Sequence, residues 1–395
     1  MRKMEENARI RGFAYEFQQL KETWNRIMES NRISNEEIDN AGKKLKEKEY
    51  KELWNQLYLL GVRLPNTMNE NVPIGNEPKV IRTFGIKRET DAVMAEQLIQ
   101  NWHGIRYPLD ASGNRSYTLI GGFAELEQNL LSFAYKTVLN SGFVPISVPD
   151  IVRRSTTEAC GVEQRENQHA IQYILSDEQN LCLSGTAEMG IAELVRGKIF
   201  DEADLPLRLV AQSRCFRPEI SASVLEHKLY RVHEFTKVEM FVICKEEESD
   251  RELENLLEIQ SRIFQQLGFY CRVLDMPSDE LGPPASRKFD IEAWMPGRKM
   301  FGEVSSASNC TDFQSRRLGL RYRRAEDGTL VYPHTCNGTA IASSRALITL
   351  VETHQYSEQF KKSHRIQLKI PEVLKTSRRT SPIKLKDNLL FHYNC

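Results

Sequence analysis

The sequence lacks any CxxC pair, and its eight cysteines are scattered, at positions 160, 182, 215, 244, 271, 310, 336 and 395. This spacing matches neither a zinc framework nor a disulfide scaffold, and it favours a reducing compartment. The chain also lacks net charge, because 54 lysines and arginines balance 54 aspartates and glutamates. No overall field therefore draws the protein to a polyanion, and contacts with nucleic acid must come from local patches.

Motifs of several common enzyme classes are absent as well. The sequence contains no GxGxxG, no GxxxxGK[ST] and no HExxH, so nothing supports a dinucleotide fold, a P-loop or a zinc protease. Its apolar runs are too short to span a bilayer, and we expect no membrane association. Residues 1–13 are basic, but they contain Glu5 and Glu6 and no apolar signal core. A cytosolic protein, or one whose targeting segment has been removed, fits this start.

The first 66 residues show helical periodicity. Apolar side chains step by three and four over Ile10–Ile27, and a second apolar stripe runs from about Asn35 to Val62. These periods predict two helices that fold back as an antiparallel hairpin, either a protruding arm or a subdomain packed on the body. We expect a hairpin arm at 1–66, a linker at 67–85, a main domain at 86–355 and a basic tail at 356–395.

From Arg82 onward, helix and strand patterns alternate irregularly. Helices are predicted at Glu89–Trp102, Phe123–Leu139, Glu188–Gly197 and Glu247–Leu267. Strands are predicted at Phe143–Val148, Leu207–Phe216, Leu229–Val242, Phe269–Leu274, Phe289–Trp294 and Phe301–Ser306. Strands that adjoin through hairpins and long polar loops indicate an antiparallel sheet flanked by helices, which is the α+β class.

The stretch Arg214–Met240 predicts two strands around a polar loop. Because side chains alternate along a strand, Val232, Val238 and Met240 share one face. The opposite face collects Arg231, His233, Phe235, Lys237 and Glu239, with Arg217 and Glu219 from the first strand. Arginine forks suit phosphate oxygens and a phenyl ring suits a base. The face is therefore either a site for a phosphate- and ring-bearing ligand beside an ammonium group, or a solvated face with ion pairs.

A buried arginine is predicted near the end of the main domain. The segment Thr339–Glu352 is apolar almost all round, which predicts a buried helix with Arg345 in its middle. A buried guanidinium needs an anionic partner, either a protein carboxylate or a ligand phosphate.

Oxygen-bearing side chains at other strand and helix ends also have two interpretations. Glu303, with Ser305 and Ser306 beside it, suits Mg2+ shared with phosphates, or it merely ends a strand. Thr186 and Glu188 in GTAE either cap a helix or hold a carboxylate toward a substrate ammonium. The same alternatives apply to the segment 337–339.

Taken together, the segments from about Leu64 to Gln355 resemble class II aminoacyl-tRNA synthetases, and within them the seryl-tRNA synthetase family, above all its animal mitochondrial members. The resemblance rests on GFVPISVPDIV, GTAE, FRPE with LYRVHEFTKVEMF, LDMPSDELG, RKFDIEAWMPGR, FGEVSSASNCTDFQSRR and HTCNGTAIASSRAL. It implies a serine–tRNA ligase that forms seryl-adenylate from serine and ATP and then acylates tRNA-Ser, as a homodimer, in the mitochondrial matrix or otherwise the cytoplasm. GFVPISVPDIV, around Pro149, corresponds to the motif that forms the dimer.

The resemblance also implies roles for individual residues. Arg217, Arg345 and Glu303 would be catalytic. The ATP-binding residues would be Arg217, Glu219, Arg231, Phe235, Glu303, Ser306 and Arg345, with Glu303 and Ser306 also holding Mg2+. The serine-binding residues would be Thr186, Glu188, Arg217, Glu239, Asn337 and Thr339.

The sequence departs from the family pattern in four places. His227 and Lys228 stand where the family has an arginine–glycine pair. Ser343 and Ser344 precede Arg345 where glycine or proline is common. The hairpin is short, about 30 Å by helical rise, and the tail is rich in lysine and arginine, a solvated run or a set of phosphate contacts. The altered loop and short arm also motivate an alternative function, a catalytically inactive paralogue that binds RNA or a partner synthetase.

Overall fold

The computed structural model describes residues 2–13, 17–33, 40–88, 91–107, 113, 115–162, 172–176, 178–219, 228–357 and 366–375. The helices there are α1 Arg2–Ile10, α2 Phe17–Ile33, α3 Asn40–Val62, α4 Ala95–Asn101, α5 Gly122–Leu139, α6 Arg154–Ala159, α7 Ala187–Val195, α8 Ser249–Gln266, α9 Phe313–Leu318 and α10 Ser343–His354. The strands are β1 Lys79–Phe84, β2 Ile105–Arg106, β3 Thr118–Leu119, β4 Val144–Ile146, β5 Ile151–Arg153, β6 Ile174–Ser176, β7 Leu181–Leu183, β8 Ile199–Asp201, β9 Leu207–Phe216, β10 Glu234–Cys244, β11 Cys271–Asp275, β12 Arg287–Met295, β13 Met300–Asn309, β14 Arg321–Arg323, β15 Leu330–Val331, β16 His334–Ala342, β17 Gln355–Ser357 and β18 Ile366–Leu368.

The largest sheet in the described residues has eight strands in the order β1-β11-β12-β13-β16-β10-β9-β4. Its neighbours pair antiparallel, except that β4 lies parallel to β9 at one edge. In the middle of the sheet, Glu239 of β10 pairs with Thr339 of β16 and with Ala211 of β9. The predicted antiparallel sheet flanked by helices, and with it the α+β class, is confirmed.

Alternation along β10 separates two packed layers. Val238 and Met240 are fully buried in the larger core, which α4, α5, α8 and α10 build against one face of the sheet. Phe241 and Ile243 are buried in a second core with α6 and α7 on the other face. Since side chains alternate, Phe235, Lys237 and Glu239 lie on this second face as well, in the part of β10 that precedes Phe241 and Ile243.

Most predicted elements are present with shifted ends. Strand β9 has the predicted bounds Leu207–Phe216, whereas β10 begins at Glu234 instead of Leu229. A 3-10 turn at Lys228–Tyr230, with Lys228 at φ +60°, occupies the start of the predicted strand. The alternation extrapolated back to Val232 is therefore wrong, and Val232 packs with Cys215 and Phe235.

The predicted helix at Thr339–Glu352 is wrong in its first turn. Residues His334–Ala342 form strand β16, which pairs with β10 and β13, and the helix begins only at Ser343. Hydrogen bonding between strands on both sides outweighs the local preference that the apolar run suggested. Arg345 consequently lies in the first turn of α10, and segment 337–339 is strand and does not cap the helix.

The predicted hairpin is present as α2 and α3, and residues 34–39 between them lie outside the described residues. Phe17 and Leu20 pack near Leu57 and Leu60. Towards the other end, Trp24 and Trp54 are 6.5 Å apart in edge-to-face contact, so the helices run antiparallel. The prediction of one continuous helix from Ile10 is wrong, because α1 ends at Ile10 and Gly12 has a left-handed φ of +68°.

Two further expectations concern cysteines and membranes. The seven described cysteines are all buried, and none of them forms a disulfide bond. None of the described helices is long and apolar enough to cross a membrane.

Candidate active site

One pocket on the second face of the large sheet brings together all the predicted site residues. Strands β10, β13 and β16, the N-terminus of α7 and the start of α10 supply its lining. The predicted residues along it are Thr186, Glu188, Arg217, Glu219, Arg231, Phe235, Glu239, Glu303, Ser306, Asn337, Thr339 and Arg345. Their individual roles remain predictions.

One end of the pocket is built around two carboxylates, of which Glu239 is buried and Glu188 is half-buried. Glu239, 2 % exposed, accepts a hydrogen bond from the Thr339 hydroxyl at 3.1 Å and forms an ion pair with the Lys237 ammonium at 2.6 Å. The Lys237 ammonium also donates to the Thr339 hydroxyl oxygen at 3.2 Å. The sequence placed Lys237 on this face, but no role was predicted for it. The structure makes it the internal counter-ion of Glu239.

Glu188 faces the same end of the pocket. It follows Thr186, the N-cap of α7, whose hydroxyl accepts from the Glu188 backbone N–H at 3.4 Å, so the capping interpretation also holds. Its Oε1 accepts hydrogen bonds from the Gln314 amide at 2.5 Å and the Asn337 amide at 2.8 Å. Burial, and then the neighbouring Glu239, raise the pKa of Glu188 to about 7. This carboxyl therefore titrates near neutral pH.

The opposite end of the pocket is cationic. The Arg345 guanidinium, 18 % exposed, donates to the Glu303 backbone oxygen at 2.9 Å and to its carboxylate at 3.2 Å, and lies 4.7 Å from the Tyr230 ring centre. Of the two predicted partners, the protein carboxylate is thus present. Burial would raise the pKa of Glu303, but Arg345, Lys288 and Arg217 outweigh it and leave the pKa lowered. The Glu303 carboxylate is therefore ionised at neutral pH, and its oxygens can act as ligands of a cation.

An aromatic surface also lines the pocket. The Arg217 guanidinium is 5.3 Å from the centre of the Phe235 ring and donates to the Gly185 backbone oxygen at 3.4 Å. Arg231 and Glu219 form an ion pair at 3.1 Å. Both predicted interpretations of the strand face are therefore met in part, because the face forms ion pairs and also lines a pocket.

One residue of the predicted stretch lies elsewhere. His233 is absent from the pocket lining, and its ring nitrogen Nδ1 is 2.8 Å from the Tyr173 hydroxyl. Residues 220–227, including His227, lie outside the described residues. Gln314 was missed by the sequence analysis, because a glutamine in a short helix gives no signal before the fold brings it to Glu188.

The geometry suits a ligand with an ammonium group at one end and phosphates at the other. Carboxylates and hydroxyl and amide groups form the first end, guanidinium groups form the second, and Phe235, beside the Arg217 guanidinium, offers a flat surface. Within the described residues, no cluster of three or more His, Cys, Asp or Glu could hold a metal. Protein side chains there therefore provide no complete metal cage.

Comparisons with known proteins agree on one class of relatives, the aminoacyl-tRNA synthetases. Residues 173–354 match the family model "tRNA synthetase class II core domain (G, H, P, S and T)". The mitochondrial serine–tRNA ligase of Mus musculus is 41% identical over 326 residues, 78% of this chain and 61% of that protein. The serine–tRNA ligase of Dictyoglomus turgidum is 37% identical over 345 residues, 84% of this chain and 78% of that protein.

The fold is also similar to a solved structure. The seryl-tRNA synthetase from Pyrococcus horikoshii complexed with ATP superposes with a TM-score of 0.77 at 31% identity, over 94% of this chain and 88% of that one. The chain spans about three fifths of the length of the mouse and cattle mitochondrial relatives.

Proposed function

Because the chain belongs to the serine–tRNA ligase family, we propose that it joins serine to ATP as seryl-adenylate and transfers the seryl group to the 3′ end of tRNA-Ser. The observation that supports this most is the pocket, whose lining combines buried carboxylate and hydroxyl groups, guanidinium groups and an aromatic ring. These are the groups that a serine ammonium, an ATP polyphosphate and an adenine require.

In the first step, an oxygen of the serine carboxylate forms a bond to the α-phosphorus of ATP. The bond from that phosphorus to the bridging oxygen breaks, and its electron pair leaves with pyrophosphate. Arg217, next to Phe235, binds the α-phosphate, Phe235 stacks on adenine and Glu219 accepts from its amino group. Arg231 and Arg345 bind the outer phosphates. Such a site acts mainly by positioning and charge stabilisation, with little proton transfer by side chains.

Serine is recognised at the carboxylate end. Glu188 and Glu239 both present carboxylate oxygens to the serine ammonium, and Thr186, Asn337 and Thr339 help to bind its ammonium and hydroxyl groups. Alanine is rejected because it would leave buried polar groups without a hydrogen-bond partner. Threonine is excluded only by shape.

Mg2+ is proposed to bind at Glu303 and Ser306. Mg2+ prefers oxygen ligands and usually takes one or two protein carboxylates together with substrate phosphates. The lowered pKa of Glu303 supplies an ionised carboxylate in the pocket, and Ser306 lines the same pocket. When bound, the ion neutralises charge on the phosphates. Arg345, held at 3.2 Å from Glu303, orients that carboxylate.

A homodimer is proposed from the segment around Pro149. Val144 in β4 is 50% exposed and Ile151 in β5 is 51% exposed, although both are apolar. Strand β4 is also an edge of the large sheet, a position that in general can pair with a strand of another chain.

The arm and the basic tail are proposed to contact tRNA-Ser. The similarity to mitochondrial enzymes supports the mitochondrial matrix as the location.

Serine-dependent exchange of pyrophosphate into ATP tests the proposal, with alanine and threonine as controls. Exchange with serine, followed by charging of tRNA-Ser, is the expected result. Arg214→Ala is a matched control for site variants, because Arg214 lies on β9 near Arg217 and pairs with Glu234 outside the pocket lining. A folded protein that shows no pyrophosphate exchange would refute the proposed ligase activity and favour an inactive paralogue that binds RNA or a partner synthetase.

A further inference from the structure

Behind the serine end of the pocket lies a buried amide that does not line it. Gln314, in α9, is fully buried, and so is Thr335 on β16. The Gln314 amide nitrogen donates to Glu188 Oε1 at 2.5 Å, and its carbonyl oxygen accepts from the Thr335 hydroxyl at 2.7 Å. Both ends of this amide are therefore used, one toward the pocket and one away from it.

The direction of the amide matters because its two ends differ in chemistry. A glutamine carbonyl turned toward Glu188 would oppose lone pairs to a carboxylate, whereas the amide N–H stabilises it. The carboxylate, which can only accept, selects the second arrangement, and the Thr335 hydroxyl stabilises it by donating to the carbonyl.

The hydrogen bonds to Glu188 also restrict its rotation. Gln314 and Asn337 reach Oε1 from two different elements, α9 and β16, and within the described residues both side-chain hydrogen bonds of Glu188 end on that oxygen. The carboxylate is thus fixed from behind, and its other oxygen, Oε2, is left for a ligand in the pocket.

We propose that Gln314, oriented by Thr335, is a positioning residue of the serine pocket, which holds the Glu188 carboxylate in the orientation that receives the substrate. The inference rests on the proposed function, because it concerns the use of serine. Gln314 does not touch the substrate and acts only through Glu188.

The charges around Glu188 predict a pH signature for this role. From β10, Glu239 opposes ionisation of Glu188 and Lys237 favours it, while the buried Cys160 and Cys310 thiols lie close by. The remaining neighbours, Gln314 and Asn337, are neutral donors that lower the pKa of Glu188. Loss of the Gln314 donor should therefore raise the pKa of Glu188 and move the acid limb of serine use to higher pH.

The test is serine-dependent pyrophosphate exchange by the full chain carrying Gln314→Met, which keeps the length of the side chain without its polar atoms. We expect kcat/KM for serine to fall by about tenfold or more, as for one charge-assisted hydrogen bond, with an unchanged KM for ATP. The acid limb of the pH profile should move upward. Thr335→Val, which leaves Gln314 in place but frees its amide to turn, should give a smaller loss of the same kind.

Ser315→Ala is the matched control. Ser315 is also fully buried in α9, but its hydroxyl donates to the Pro333 backbone oxygen at 2.5 Å, away from Glu188. This variant should alter stability and leave the ratio of serine to ATP kinetics and the pH profile unchanged.

The outcomes separate the two proposals. An inactive folded wild type would refute the proposed function and this inference with it. An active wild type whose Gln314→Met variant keeps the serine kinetics and the pH profile would refute the positioning role alone. If Gln314→Met does not fold, Thr335→Val decides: an unchanged acid limb and serine KM refute the role, and the shift supports it.

Discussion

The buried pair of Glu239 and Lys237 allows a prediction that separates serine binding from ATP binding. Glu239 is 2 % exposed and Lys237 is 5 % exposed, and their charged atoms are 2.6 Å apart. At an effective dielectric constant of about 20, that attraction is about 6 kcal/mol before the desolvation of both ions is subtracted. Removal of one partner of such a pair costs about 3–5 kcal/mol, because the other charge stays buried.

Two substitutions distinguish the loss of the pair from the loss of the ligand contact. Glu239→Ala leaves the Lys237 ammonium without its carboxylate, so the free energy of unfolding should fall by about 3–5 kcal/mol. Glu239→Gln retains an oxygen that can accept from Lys237 and Thr339, and it should cost only about 1–2 kcal/mol. Both variants lose the carboxylate that we propose receives the serine ammonium.

Thermal melting and pyrophosphate exchange measure the two effects. For Glu239→Gln we expect kcat/KM for serine to fall by about tenfold to a hundredfold, the value of one charge-assisted hydrogen bond, with the KM for ATP unchanged. An equal loss of serine and ATP use would refute the role of Glu239. A melting temperature of Glu239→Ala equal to that of wild type would refute the buried ion pair.

Three further predictions concern other parts of the chain. Arg217→Ala should abolish pyrophosphate exchange and leave the oligomeric state in size-exclusion chromatography unchanged, whereas Arg214→Ala should retain exchange; activity in the first variant would contradict the phosphate role. A protonated Glu188 cannot pair with an ammonium and its pKa is about 7, so kcat/KM for serine should decline below about pH 7. The same decline in a Glu188→Gln variant would show that another group titrates there. Arg11, 2 % exposed, donates to the backbone oxygens of Asn66 and, at 2.6 Å, of Gly282. Arg11→Met should therefore loosen the base of the arm by about 1–3 kcal/mol, seen as faster limited proteolysis there, without loss of exchange.

The strand face was the part of the site that the sequence predicted best. Two-residue alternation is a local property of extended chain, so the placement of Phe235, Lys237 and Glu239 on one face held wherever β10 is a strand. It failed at Val232, where a 3-10 turn precedes the strand and breaks the period. Glu303 and Arg345 were identified separately, and only the fold brings them within 3.2 Å of each other.

The helix predicted from Thr339 shows why local pattern was insufficient elsewhere. An apolar run of this length fits a buried helix and a central strand alike. Pairing of β16 with both β10 and β13 decides for the strand as far as Ala342. This pairing also aligns Asn337 and Thr339 with the pocket.

By itself, the amino-acid sequence determined the α+β class, the polar face of β10 and, through its contiguous motifs, the family. These depend on short-range periodicity and on residues that are neighbours along the chain. Tertiary structure alone decided which distant polar groups meet: Arg345 with Glu303, and Gln314 behind Glu188. Contacts over such separations follow from sheet order and from burial, where an ion or an amide must find a partner because water cannot provide one.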